Sequence, residues 1–303
     1  MAIKLKRGSR KNSIYSVFDE WLENCKNRGL SPISIITYKE KVMMFLEYVG
    51  DIYIEDLDET TVYDFRYWLK EHRNFNAVSQ NTTYRSINVF LKFIHEEYLT
   101  QDFHIDYVRV DKTIKKIFSY DDIKKLIKQP NLETCGYSEL RDWVIVKIIL
   151  ETGVRASSIV NVKIDDIDFK QQTITFRHMK NRQQQIFPLK KDIVKLIQLY
   201  LEYVGEELDD YIFINSLHNP LSSKQLSVSF QRYCKNRNVK ITSIHCLRHF
   251  FATELLKATN NIHLVSKTLG HSSVAITERY IATLGLNEYK ATLESIDILK
   301  HLK

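Results

Sequence analysis

Glycine and proline are scarce in this chain, with eight and four copies in 303 residues. No Walker loop and no dinucleotide fingerprint appears, so neither glycine-rich phosphate cradle is encoded. Cysteine is equally sparse: Cys25, Cys135, Cys234 and Cys246 lie far apart and form no C-x-x-C pair. That spacing indicates neither a zinc site nor a disulfide framework, no metal and no cofactor are expected, and a reducing cytoplasm is the simplest setting. No stretch approaches the roughly 20 apolar residues that span a bilayer. The segment Met1 to Asn12 is basic but lacks the apolar run of a signal peptide, so the protein is expected to stay where it is made.

What is present begins with charge. Forty-four Lys and Arg against thirty-seven Asp and Glu give a net charge of +7, a modest excess that a solvated surface explains equally well. Its distribution is more telling. Residues 1 to 12 carry five basic groups and no acid, and so do residues 222 to 240, through Lys224, Arg232, Lys235, Arg237 and Lys240. Strips of this kind face phosphates. With 44% hydrophobic residues, the chain is long enough for two domains that each bury a core.

Periodicity divides it into two blocks. Ile14, Phe18, Leu22 and Cys25 recur at helical spacing; a second helix opens at Ser31-Pro32, a cap followed by proline in the first turn, and runs to Gly50. Val62, Phe65 and Leu69 mark a third helix, and Thr83, Ile87, Phe90, Ile94 and Tyr98 a fourth. The result is an all-helical unit over 13–103 behind a basic tail over 1–12. From about Gln101 periodicity fades and charge alternates, predicting a linker over 104–116. At Ser119 a capping-box-like S-Y-D-D starts a second domain over 117–303, helical in the main. Within it, T-I-T-F-R-H and Q-Q-I-F-P-L flank a polar turn and predict a β-hairpin with Lys180 near its tip.

The second half also strings basic residues towards one tyrosine. Arg155 lies in T-G-V-R-A-S-S-I, Lys180 in R-H-M-K-N-R, His245, Arg248 and His249 in H-C-L-R-H, His271 in L-G-H-S-S, and Tyr280 in T-E-R-Y. Arginine forks and imidazoles around a tyrosine make chemical sense if the ligand is a phosphodiester and the tyrosine attacks it. In this order and spacing the motifs resemble the tyrosine recombinases, also called the phage integrase family. The resemblance covers nearly the whole chain, and S-P-I-S-I-I-T-Y-K is similar to the second-helix signature of the family's DNA clamp.

The resemblance implies a mainly α fold: a four-helix SAM-like core-binding domain, then an α+β catalytic domain with a small β-hairpin or sheet and a C-terminal tail helix. It implies Tyr280 as nucleophile, Arg155 and Arg248 as forks on the scissile phosphate, Lys180 as general acid for the leaving 5′ oxygen, His245 as acceptor of the tyrosine proton or holder of the phosphate, and His271 as a hydrogen-bonding phosphate ligand. Arg177 and Arg182 flank Lys180 closely enough to substitute for it or to meet DNA. His249, His263 and His95 are read as packing or capping residues. Thr37, Tyr38, Lys39 and Arg85 on the clamp, and Lys224, Arg232 and Lys235 on a helix from about Ser223 to Arg237, are the other DNA-contact candidates, helix surface being the alternative for each. Tyr233 and Tyr289 are the fallbacks for the nucleophile.

One position departs from the pattern. Many relatives carry an acid three residues after the first arginine, where this chain has Ser158; Glu151 is the nearby candidate to compensate. The expected partners are double-stranded DNA with inverted-repeat half-sites and, on two such sites, a homo-tetramer passing through a Holliday junction by way of a 3′-phosphotyrosine. A clamp starting near residue 13 predicts a simple two-domain recombinase, and the Lys/Ile/Asn-rich, Gly-poor composition an AT-rich bacterial or phage genome. Integration or excision of a mobile element, and resolution of dimers or cointegrates, both stay open. Two other readings remain: a type IB topoisomerase-like nicking-resealing enzyme and a catalytically idle DNA-binding protein.

Overall fold

Ser13, Ser31, Asp58 and Asn76 each precede a helix, and each side chain accepts a backbone N–H from that helix's first turn. They open α1 (Ile14–Asn27), α2 (Pro32–Val49), α3 (Glu59–His72) and α4 (Ala77–Tyr98). The computed structural model that contains them describes residues 12–110, 117–177, 184–205 and 210–271, with residues 273 and 277. It divides into two units, 1–112 and 113–303.

In the first unit the apolar stripes of the four helices meet in one core. Phe18 of α1 stands edge-on to Phe90 of α4, with ring centroids 5.8 Å apart, and Phe45 of α2 edge-on to Phe65 of α3 at 5.3 Å. The sequence predicts linker from residue 104, yet Ile105 is buried in this core beside Phe103. Two asparagines of α4 hold it there. Asn88 accepts from the Ile105 N–H at 2.8 Å and donates to its carbonyl at 2.9 Å, and Asn81 makes the same pair with Val108 at 2.7 Å each. The side-chain amide thus takes the place of a neighbouring strand.

The second unit begins at Ser119, whose hydroxyl and Asp122 form a reciprocal capping box at the start of α5 (Tyr120–Ile127). It continues through α6 (Tyr137–Thr152), α7 (Ala156–Ile159), β1 (Ile167–Asp168), β2 (Thr173–Phe176), β3 (Gln185–Pro188), α8 (Lys191–Val204), α9 (Ser223–Asn236), α10 (His245–Thr259) and α11 (Ile262–Leu269). Apolar on nearly every side, α6 is the central element, with α5, α8, α9 and α10 packed around it. The expected hairpin is β2 and β3, antiparallel with Ile174 opposite Phe187; β1 adds a third, edge strand. Only two residues long, β1 has no alternation for a sequence reading to find.

The fold is therefore mainly α, a four-helix unit followed by an α+β domain with, among the described residues, one small antiparallel sheet. Lys180, Arg182, Tyr280, the basic tail and the stripe of residues 289–299 lie outside the described residues. Among the described residues no helix is long and apolar enough to cross a membrane, and no group of three or more His, Cys, Asp or Glu is placed to hold a metal ion.

Candidate active site

The turn between α6 and α7 is built on Gly153, which ends α6 in the left-handed region at φ 64°. A Cβ here would lie 2.6 Å from Cε1 of Phe251 and 2.9 Å from Cδ2 of Leu269, and would meet Cδ1 of Phe251 as well. Glycine is thus required twice, by its dihedral and by the approach of α10 and α11. Two residues on, Arg155 is half-buried at the N-cap of α7.

Arg248 joins this turn to the rest of the site. Its guanidinium is buried in α10, where Nη1 donates to the Gly153 carbonyl and Nη2 to the Leu269 carbonyl, both at 2.7 Å. One planar fork therefore ties the first-arginine turn to the end of α11, next to His271. His245 is the exposed first residue of α10, three residues before Arg248 and so a neighbour on one helix face. The structure thus brings the Arg155, H-x-x-R-H and L-G-H segments together.

Two contacts at the end of α11 have no counterpart in the sequence reading. Nδ1 of His271 lies 2.8 Å from Oγ1 of Thr277, whose side chain is fully buried. Gln185, at the start of β3, donates through Nε2 to the Thr268 carbonyl at 2.8 Å and the Lys267 carbonyl at 3.3 Å. It supplies a donor to carbonyls of the last helical turn, one of which, Lys267, also accepts from the Gly270 N–H, and fastens the loop end of the β2–β3 hairpin to the end of α11. A lone Gln in a strand and a lone Thr carry no periodic signal.

Other candidates occupy different roles. Ser158 is buried inside α7. Glu151 pairs with Lys190 at 3.0 Å rather than with the arginine turn, so it does not supply the acid that Ser158 replaces. Tyr233 is buried, its hydroxyl donates to the Leu126 carbonyl at 2.7 Å, and burial pushes its phenol well above the ordinary tyrosine range. It is a packing residue, which removes it as a fallback nucleophile. Arg177 at the end of β2 pairs with the buried Asp166, leaving half of its side chain exposed.

On the four-helix unit, the Thr37 hydroxyl donates to the Ile33 carbonyl at 2.9 Å, and the Tyr38 ring stacks on Trp21 at 5.5 Å. A phosphate offers only acceptors, so Thr37 must swing its single proton away from Ile33 to bind one. Lys39 and Arg85 are exposed, with the Arg85 guanidinium 6.0 Å from the Tyr107 ring centroid. Within the second unit α9 presents Lys224, Val228, Arg232 and Lys235 outward while Leu226, Phe230, Tyr233 and Cys234 face the core. Burial pushes the Cys234 thiol up to about 12.

A buried polar network fixes the rotation of α9. Arg141 donates to Asp142 Oδ1, to the Ile214 carbonyl at 3.0 Å and to Ser229 Oγ at 2.7 Å, and Ser229 in turn donates to Asp142 Oδ2. Burial pushes the Asp142 carboxyl above the usual carboxylate range, against the pull of Arg141. Arg237 belongs to this inner side: it pairs with Glu139 at 2.7 Å and lies 4.0 Å over the Tyr233 ring. The outward cations are then Lys224, Arg232 and Lys235. Their triple replacement by alanine is expected to weaken DNA binding for all sequences and to flatten the salt dependence by about 0.9 in log–log slope for each phosphate no longer neutralised. An unchanged slope in a fluorescence titration would reduce the strip to a solvated face.

A helical unit in front of a mainly helical domain with converging arginines and histidines defines a protein class that handles phosphodiesters. The chain belongs to the phage integrase family: residues 116–285 match that family and residues 17–103 its N-terminal SAM-like domain. It is a site-specific tyrosine recombinase of the Xer and integrase type. The tyrosine recombinase XerA of Pyrococcus furiosus is 26% identical over 269 residues, covering 87% of this chain and 90% of its own. Solved recombinase structures share the fold, among them the following two. XerH recombinase bound to a palindromic difH substrate, a post-cleavage complex, matches with TM-score 0.69 and 19% identity over 90% of this chain and 82% of that one. A lambda integrase tetramer bound to a Holliday junction matches with TM-score 0.70 and 17% identity over 90% and 78%.

Proposed function

We propose that this recombinase cleaves one strand of duplex DNA with Tyr280 and rejoins it to another through a 3′-phosphotyrosine intermediate and a Holliday junction. The phenol oxygen attacks the scissile phosphorus while its proton passes to His245. The bond to the 5′ oxygen breaks, and Lys180 protonates that oxygen. Arg155 and Arg248 spread over the nonbridging oxygens and His271 hydrogen-bonds one of them, stabilising the added charge of the pentacoordinate transition state. Because the bond energy is kept in the phosphotyrosine, a 5′-hydroxyl from a second strand reverses the steps. The observation that carries this reading is the Arg248 fork on the Gly153 and Leu269 carbonyls, which draws three motifs to one place across 95 and 21 residues of chain.

The DNA partner is proposed to carry inverted-repeat half-sites, with protomers joining as a tetramer on two sites; the palindromic substrate of XerH and the lambda integrase tetramer support this. The cellular role is then integration or excision of a mobile element, or resolution of dimers and cointegrates, in the cytoplasm. For assembly, Tyr289, Leu293, Ile296 and Leu299 recur at helical spacing, and this stripe is proposed to dock on the next protomer of the ring.

The test combines covalent trapping on a nicked duplex, carrying the half-site the protein selects from a random-sequence pool, with a two-site recombination assay. A recombinase traps and exchanges, a nicking-resealing enzyme traps without exchange, and an idle binder does neither. Truncation after Asn287 is expected to spare half-site binding and abolish exchange. Normal recombination by the truncated protein would remove the tail from assembly, and unfolding would place it against its own domain.

A further inference from the structure

His271 is held at its backbone but not, by that backbone, at its ring. Gly270 closes α11 in the left-handed region at φ 59°, and the His271 N–H donates to the Ser266 carbonyl at 3.0 Å. Two side-chain torsions are left to decide where the imidazole points and which nitrogen carries a proton. The 2.8 Å contact between its Nδ1 and Thr277 Oγ1 fixes where the ring points, and the direction of that hydrogen bond decides the tautomer. Thr277 is fully buried, and its hydroxyl is the only polar group on its side chain, so removing this partner would strand a buried polar atom.

We propose that Thr277 is a positioning residue for His271: its hydroxyl engages Nδ1 and thereby keeps Nε2 as the nitrogen that donates to the scissile phosphate. The proposal rests on the reading of His271 as a phosphate ligand. A hydroxyl that donates to Nδ1 fixes the neutral ring with its proton on Nε2; towards a charged ring the same oxygen accepts instead. In both of these states the phosphate meets an N–H, which is what an anion requires, whereas a neutral ring protonated on Nδ1 would donate to the threonine and turn a bare Nε2 to the phosphate. Thr277 precedes Tyr280 by three residues, so a single short segment carries both the nucleophile and the group that orients its helper. The pairing has no sequence signature beyond a threonine six residues after a histidine.

Two conservative variants separate orientation from packing. Thr277→Val keeps the shape and removes the hydroxyl, and Thr277→Ser keeps the hydroxyl. On the nicked selected half-site, Thr277→Val is expected to slow covalent-complex formation on the order of tenfold, less than the hundredfold or more that loss of a direct donor costs. Thr277→Ser should restore the rate and its pH profile, and Thr277→Val should cost nothing further in a His271→Ala background. With 15N-histidine-labelled full-length protein, the His271 ring, assigned through His271→Ala, should show one tautomer in wild type and Thr277→Ser and a mixture in Thr277→Val. An equal loss from Thr277→Val with and without His271, or an unchanged ring spectrum, would overturn the proposal while leaving His271 as a ligand. Full cleavage by His271→Ala would instead remove His271 from the phosphate, and the proposal with it.

Discussion

Tyr280→Phe should bind its half-site as wild type does and form no covalent complex. The substitution removes one hydroxyl and no charge, so the field that draws DNA is unchanged, whereas the nucleophile is gone. Removing a nucleophile from an assembled catalytic set costs on the order of 10⁴-fold or more, which puts any residual reaction below what a denaturing gel detects. The chain has seventeen tyrosines, and a substitute would have to be accessible. Tyr233 is disqualified by its buried hydroxyl and its bond to the Leu126 carbonyl. A nicked suicide duplex, on which the freed 5′ fragment diffuses away, accumulates the protein–DNA adduct in wild type. An adduct of wild-type yield in Tyr280→Phe would reject the assignment and leave Tyr289 to be tested next.

The elements that can be read from the sequence are those announced by local chemistry. Ser31-Pro32 and Gly50 bracket α2, and S-Y-D-D opens α5, because a cap acts within one turn and its residues stand together in the chain. The four stripes of the first unit are visible because burial repeats every 3.6 residues. What escapes a sequence reading is a single side chain acting at long range. Asn81 and Asn88 bond backbone 27 and 17 residues away, which no local pattern encodes, and the stretch they hold looks like linker because it has no periodicity of its own. In the site, the motif order points to Arg155, His245, Arg248 and His271, but nothing in the sequence says that Arg248 also anchors two carbonyls or that His271 leans on Thr277. Glu151 is close to Arg155 in sequence, which suggests a replacement acid; it sits in the last turn of α6, where Lys190 claims it. Sequence distance and side-chain direction are different quantities on a helix.

Gly153→Ala is expected to destabilise this domain strongly. At φ 64° an alanine pays about 1–2 kcal/mol for the left-handed conformation, and its Cβ would press on Phe251 and Leu269, a mismatch of the kind that costs about 1–3 kcal/mol in a packed core. Together these predict a loss of about 2–5 kcal/mol, or a fall in Tm of roughly 5–15 °C for a unit of this size. The damage is also aimed: the Gly153 carbonyl is one of the two anchors of the Arg248 fork, and Arg155 follows two residues later. Cleavage below the melting transition should therefore drop further than DNA binding does. Adding Phe251→Ala to Gly153→Ala opens room for the new methyl but leaves the dihedral strained, so the pair should be less destabilised than the sum of the single variants, by about 1 kcal/mol or more. Thermal denaturation of the four proteins measures that coupling, and the adduct assay measures the rest. A Gly153→Ala protein that melts with wild type would mean that the turn reopens at no cost. One that is destabilised yet cleaves at full rate would show that Arg248 does not need this carbonyl to hold its phosphate.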